Sequence, residues 1–387
     1  MAKNALRSLL LIALALGWVQ TVKGDDLIEN FFGIPQSDQE TILVGGEAFL
    51  RLPQSFTSAL TENFPVSSVV PPFAFRRVEV EPGEYERMPI GPPGMGPVLF
   101  AERATTQGRG MLSVSASFTY LDYQELDGHQ LDNLRFTGLT EPPGTTWTAD
   151  LDLDVEATLT AAAIAYGVTN NLDVAVVVPW VTVDFDNRTN LEITNPDWEE
   201  PIGFSWRRHH SYEGLGDILV RSKLLVAETR VTDIALAFDY KTETGDEDKV
   251  LGTGYETYKP FIVLSKGFLG FVPHLNVGYS FADAGRRSDE LSRLEYAAGV
   301  EFVPTNRLTA AVSFTGFHKF HFDDDEDFGE SIHNVSVGCK WVALQWGATE
   351  SAPPKGNLVV YANVMRRIND DGVRADWVPT MGMQVAF

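Results

Sequence analysis

The chain has 387 residues, with 30 Lys and Arg against 53 Asp and Glu, for a formal net charge of −23. That sign argues against nucleic acid as a partner and against an anionic bilayer held through a basic patch. The lone cysteine, Cys339, excludes an intrachain disulfide framework, and the length admits either two ordinary domains or one large all-β unit.

At the start, Lys3 and Arg7 precede an apolar run from Leu9 to Trp18 and a small residue at Gly24. This order reads as a secretory signal peptide over 1–24, cleaved before Asp25, with Gly17 as the second-choice site. The apolar run is shorter than the roughly 20 residues a spanning helix needs, and no later window supplies 18 apolar residues in a row. Residues 25–110 are rich in proline ("VVPPFAF", "IGPPGMGP") and lack sustained alternation. They read as an irregular segment that is either periplasmic or plug-like.

From Leu112 onward, apolar and polar residues alternate with period two, the mark of strands whose faces meet different surroundings. Ser113, Ser115, Ser117 and Thr119 interleave with Leu112, Val114, Ala116 and Phe118. Asp152, Asp154 and Glu156 interleave with Leu151, Leu153 and Val155. Twelve strands are predicted, near 111–123, 149–167, 172–186, 214–229, 231–243, 256–266, 270–283, 293–304, 307–321, 330–343, 357–369 and 374–387. Their connections alternate in length. "VTNN", "RV", "KGFLG" and "PTNR" are tight, whereas 124–148, 187–213 and the acidic stretches "TGDEDKVLGTG" and "DDDEDFGE" are long. An even strand count with short turns at one end and long loops at the other predicts an all-β fold: a transmembrane antiparallel up-and-down β-barrel over 111–387. A Greek-key sandwich gives no reason for such alternation.

In such a barrel the polar faces line the lumen and the apolar faces meet lipid. The pore-lining candidates are Asp152, Asp154, Glu156, Asp217, Arg221, Lys223, Asp239, Lys241, Lys259, His274, Asn276, Arg293, Glu295, Glu301, Asn334 and Lys340. Charges in a narrow pore need partners, so cross-strand pairing accounts for most of them, while the remainder set a field that selects and orients a solute. Trp180, Tyr279, Phe281, Trp341 and Trp377 are candidates for an interfacial aromatic girdle. The acidic stretches read as solvated loops. They lack the spaced ligands of a helix-flanked calcium loop, and no metal or cofactor is predicted.

Catalytic sets are not evident. His318 and His321 fall on opposite faces of a strand, His274 reads as polar lining, and no GxSxG, HExxH, phosphate-loop or paired-cysteine motif is present. No enzyme is predicted.

Several blocks carry a family resemblance: "YGVTNNLDVAVVVPWV" (166–181), "EGLGDILVRSKLLV" (213–226), "TETGDEDKVLGTGYETYKPFIVLSKGF" (242–268) and "HLNVGYSF" (274–281). They resemble the barrel proteins grouped with the MetA pathway of phenol degradation, over about residues 98–387. The resemblance implies an outer-membrane channel for passive uptake of small hydrophobic or aromatic molecules, and it supplies no catalytic residue. A structural or surface-interaction barrel working through its outer loops is the alternative, and an outer-membrane hydrolase is a third reading.

The chain closes on "TMGMQVAF", alternating to its last residue. Thr380, Gly382, Gln384 and Ala386 are expected to face the lumen, and Met381, Met383, Val385 and Phe387 to face lipid. Thr380, Gly382, Val385 and Phe387 also resemble the terminal signal read by the barrel-assembly machinery, which predicts that this strand closes the barrel against the one near 111–123. The expected address is the outer membrane, with both barrel termini periplasmic. The expected partners are outer-membrane lipid and lipopolysaccharide, the assembly machinery and a small-molecule solute.

Overall fold

The computed structural model describes residues 60, 75–81, 84–89, 102–126, 128–140, 144–285, 288–305, 307–319, 331–347 and 356–387. The expected signal peptide, most of 25–101 and the acidic stretch at 322–330 lie outside the described residues.

Twelve antiparallel strands form the barrel: β1 Leu112–Leu126, β2 Thr145–Gly167, β3 Leu172–Thr194, β4 Leu219–Glu228, β5 Asp233–Lys241, β6 Glu256–Ser265, β7 Phe271–Asp283, β8 Arg293–Thr305, β9 Leu308–Lys319, β10 Ser331–Trp346, β11 Gly356–Arg367 and β12 Val378–Ala386. Each pairs with its neighbours in sequence, and β12 pairs with β1 from Thr380↔Thr119 to Ala386↔Ser113, which closes the sheet. Two backbone bonds between Phe387 and Leu112, at 2.8 and 3.3 Å, complete the seam. Closure leaves the barrel wall without an edge, and an edgeless sheet is what a membrane-spanning sheet requires.

Alternation becomes burial. On β1, Ser113, Ser115, Ser117 and Thr119 are buried, whereas Leu112, Val114 and Phe118 are exposed. The same outward exposure recurs at Ile164, Val176, Leu224, Leu236, Ile262, Val300, Val312, Val337 and Met381, giving a continuous apolar band around the barrel. Trp180, Phe281, Trp341 and Trp377 are among the exposed aromatics on this outer surface, as expected of side chains at the lipid–water boundary.

Two expected loops are largely strand. β2 and β3 each run 23 residues, about twice the roughly 9–11 that cross a bilayer. Leu134–Thr140 pairs with β2 and Ile202–Leu215 with β3, so a four-stranded sheet continues past the barrel wall at the end carrying the long connections. A second departure lies within 25–110, where Phe75–Glu81 and Glu84–Pro89 pair as an antiparallel hairpin in a stretch expected to be irregular.

Candidate functional site: the barrel lumen

Cross-strand register places opposite charges side by side on the inner face of β4 to β10. Asp239 of β5 lies opposite Arg221 of β4 and Lys259 of β6. Arg221 donates to both Asp239 oxygens, Nε to Oδ1 at 2.5 Å and Nη2 to Oδ2 at 2.6 Å. Lys259 Nζ bridges Asp239 at 3.2 Å and Glu295 at 3.0 Å, and Arg293 Nε donates to Glu295 at 2.9 Å. A second group centres on Glu301, which lies 3.3 Å from His274 Nε2 and 3.7 Å from Lys340 Nζ. Lys340 is fully buried. A buried cation persists only with counter-charges at hand, and this network supplies them.

Residues 102–110 tie the two groups together. This segment enters the lumen from the short-turn end, where Thr106 Oγ1 donates to the Asn170 carbonyl at 2.7 Å and the Gln107 amide donates to Asp173 at 2.9 Å. Further in, the Ala104 amide donates to Ser265 Oγ at 2.9 Å, and Arg103 Nη2 donates to Glu301 Oε2 at 2.5 Å. At the first residue of this described segment, Glu102 accepts from Arg221 Nη1 and sits 3.5 Å from Lys223 Nζ. With its amide oriented to suit its neighbours, Asn276 accepts from the Glu102 amide at 2.6 Å and donates to the Glu102 carbonyl at 3.1 Å. The strap is held from three sides by bonds to charged and amide groups, each stronger in a low-dielectric lumen than in water.

Beside the network lies a cavity of about 150 Å³, bounded in part by Glu102, Arg221, Lys259, Arg293, Phe261 and Phe317. The aromatic rings sit under the cations: Lys259 Nζ lies 5.3 Å from the Phe261 centroid and the Arg293 guanidinium 4.2 Å from that of Phe317. Gly278, directly across from Phe261, makes this possible, since a Cβ there would fall 2.3 Å from Phe261 Cβ.

Further along β2 and β3 the inner face is apolar. Leu151, Leu153, Val155, Leu159, Val181, Val183 and Phe185 of β2 and β3 form one buried cluster with Leu121, Leu219, Met365 and Val378. The connection between β5 and β6 folds into it through Val250 and Leu251, corrected from its expected reading as a fully solvated loop. Its anchor is Asp217, which accepts from the amides of Gly245 at 3.0 Å and Thr253 at 2.8 Å and from Thr253 Oγ1 at 2.8 Å. Buried Val250 sits at φ 60, a left-handed conformation that costs a β-branched residue energy and persists because its surroundings fix it.

Most of the expected lumen residues therefore face inward. Arg221, Lys223, Asp239, Lys259, His274, Asn276, Arg293, Glu295, Glu301 and Lys340 join the network, and Asn334 lines the cavity. Asp217 and Lys241 are spent on the folded-in connection, Lys241 Nζ donating to Thr253 Oγ1 at 3.0 Å. Asp152, Asp154 and Glu156 require correction: they lie on the exposed outer face of β2, while Leu151, Leu153 and Val155 point inward. The rule that polar faces line the lumen holds only at lipid depth. Where β2 runs on into the four-stranded sheet, the polar residues turn outward.

At the closing strand, Thr380 Oγ1 lies 2.9 Å from Thr119 Oγ1, and Gly382 leaves room for the Tyr361 ring, whose Cζ would be 2.4 Å from an added Cβ. Thr380, Gln384 and Ala386 are buried while Met381, Met383 and Phe387 are exposed; Val385, expected to face lipid, is half-buried on the outer face. His318 lies on the outer face of β9, 2.5 Å from Ser331 Oγ, away from His274 in the lumen. Among the described residues no group of three or more His, Cys, Asp or Glu could hold a metal ion.

Sequence reasoning missed Glu102 and Arg103. The available signal was "FAERATTQGRG", the first polar block after the proline-rich stretch and directly before the first strand. It also missed Phe261 and Phe317, inward aromatics that break the polar pattern of their faces.

Comparison with known proteins adds two findings. A family model described as "Putative MetA-pathway of phenol degradation" matches residues 132–371. Among solved structures, an outer membrane channel from Pseudomonas putida F1 is similar at 10% identity and TM-score 0.44, over 73% of this chain and 98% of that one. A Pseudomonas aeruginosa FadL homologue is similar at 8% identity and TM-score 0.33, over 72% and 89%. The Pseudomonas putida toluene transporter TodX is similar at 8% identity and TM-score 0.30, over the same shares. No curated protein matches the chain in sequence at a significant level.

Proposed function

The chain belongs to the family described as "Putative MetA-pathway of phenol degradation", and from that premise we propose that it is an outer-membrane channel for passive uptake of small hydrophobic or aromatic molecules. The observation that carries this reading is the two-sided lumen: β2 and β3 turn an apolar face inward and β4 to β10 a charged one, with a cavity beside the charges. A solute with an apolar body finds surface on one side and orienting groups on the other, as binding sites for small molecules generally provide. The strap at 102–110 occupies the same space, so passage requires it to shift. Both barrel ends of the chain then lie on the periplasmic side, and the long strands project outward.

Purified full-length mature protein in liposomes is expected to admit monoaromatic solutes faster than sugars of similar size. Equal rates for the two, or liposomes as tight as protein-free controls, would overturn the channel reading.

The projecting four-stranded sheet favours one second reading, a surface-interaction barrel. Deletion of 134–140 and 202–213 that abolished binding to a cell-surface partner and left solute entry unchanged would select it.

A further inference from the structure

We propose that the connection between β5 and β6, residues 242–255, is the selectivity constriction of the channel, and that Val250 and Leu251 form an apolar seal which rejects ions and sugars and yields to apolar solutes. This deepens the channel reading by naming the residues that set its specificity, and rests on it.

Val250 and Leu251 are the one apolar pair in the otherwise acidic, polar and glycine-rich run "TETGDEDKVLGTG". A connection of that composition is expected to stay in water. Instead both residues are buried, at 1% and 4% exposure. They join inward-facing Leu121, Val181, Leu219, Met365 and Val378 of β1, β3, β4, β11 and β12, and with the β2 residues this cluster draws on six successive strands of the closed sheet. Tyr255, the last residue of the connection, belongs to a second apolar cluster with Ala282 of β7 and Leu291. The connection therefore joins apolar surface on both sides of itself.

Hydrogen bonds fix this placement. Thr244 Oγ1 donates to the Gly216 carbonyl at 2.8 Å and the Ile218 amide donates to Thr242 Oγ1 at 3.0 Å, so one limb of the connection is tied to the chain just before β4. Asp217 holds the other limb through Thr253. Gly214 gives Leu251 its seat, since a Cβ there would fall 2.9 Å from Leu251 Cδ1. At φ 60, position 250 would suit a glycine better than a valine. What valine adds is an apolar side chain, and that side chain is buried in the cluster. An ion or a sugar entering such a cluster sheds its hydration and meets only apolar groups, whereas an apolar solute exchanges one apolar contact for another. Hydrophobic constrictions select by excluding water in this way.

The test compares the full mature chain with Val250→Asn and Leu251→Asn in planar bilayers and in liposomes. Asparagine accepts the left-handed conformation, so Val250→Asn keeps the backbone and changes the polarity of the seal. Each asparagine variant is expected to raise KCl conductance about fivefold or more and to admit arabinose, while entry of benzyl alcohol above the protein-free rate changes less than about twofold. Val250→Ala, smaller but still apolar, is expected to raise conductance less than Val250→Asn does. The heat-dependent shift of folded barrels on gels verifies that each variant is folded. Conductance at the parent level in both folded asparagine variants, or an equal rise in Val250→Ala, would overturn the proposal. The two readings fail separately. A parent that admits neither benzyl alcohol nor arabinose, beside a Val250→Asn variant that conducts, sinks the channel for apolar solutes and spares the seal. Benzyl alcohol entry in the parent with no rise in the asparagine variants does the reverse.

Discussion

The two walls of the lumen share one geometry and differ in chemistry. β2 turns Leu151, Leu153, Val155 and Leu159 inward and its carboxylates outward. β4 to β8 turn Arg221, Asp239, Lys259 and Glu301 inward and Leu224, Phe238, Ile262 and Val300 outward. What separates them is position relative to lipid and what lies against the inner face. The carboxylate-bearing part of β2 runs on into the four-stranded sheet past the barrel wall and packs against an apolar cluster, whereas β4 to β8 pack against the charged strap. Alternation states that two faces differ; the neighbours of each face decide which one is wet.

Breaking a buried pair on the charged wall gives the largest expected effect. Glu301→Gln leaves Arg103 and Lys340 beside a neutral amide, at a cost of about 3–5 kcal/mol. Urea titration in liposomes checks the loss, and protease cleavage near 102–110 is expected to speed up as the strap loosens. A stability equal to the parent's would mean that the charged wall does not hold the strap.

On the apolar wall, Leu153→Ala is expected to cost about 2–5 kcal/mol through the cavity it leaves, without altering ion selectivity in planar bilayers. A change in selectivity at unchanged stability would show that this wall borders the permeation path directly. On the lipid face of the neighbouring strand, exposed Val176 is predicted to reject charge: Val176→Arg costs about 2–4 kcal/mol near the bilayer midplane. The same titration reads it, and a neutral result would place β3 outside the lipid band.

Much of this was legible in the sequence, and the failures share a cause. The twelve strands, the tight turns and the closing strand with its inward Thr380, Gly382 and Gln384 followed from period-two alternation, because lipid imposes one polarity on every strand it touches. Arg221, Asp239, Lys259 and Glu301 follow the same alternation and are turned inward. Asp152, Asp154 and Glu156 were misplaced where β2 outruns the bilayer and the polarity reverses. Glu102 and Arg103 were invisible because a strap has no period. Their roles come from partners more than a hundred residues away, Arg221 and Glu301, which no local pattern announces.

The smallest expected effect tests the reversal itself. On the outer face beyond the lipid, register sets Asp154 opposite Asp186, and Glu156 opposite both Asp184 and Asp122. Like charges directly opposed repel by a fraction of a kcal/mol, and exposed ones are screened by salt. Asp154→Asn is therefore expected to stabilise the barrel by about 0.2–1 kcal/mol at low ionic strength, with the gain fading toward 1 M salt. The equivalent change on the other wall, Asp239→Asn, removes the bidentate partner of Arg221 and must act in the opposite direction, largely independent of salt because the pair is buried. Paired urea titrations at two ionic strengths read both signs in one experiment. If Asp154→Asn instead weakened the barrel at every salt concentration, the row of carboxylates would be held by something other than water, and the outer face of β2 would be a contact surface in its own right.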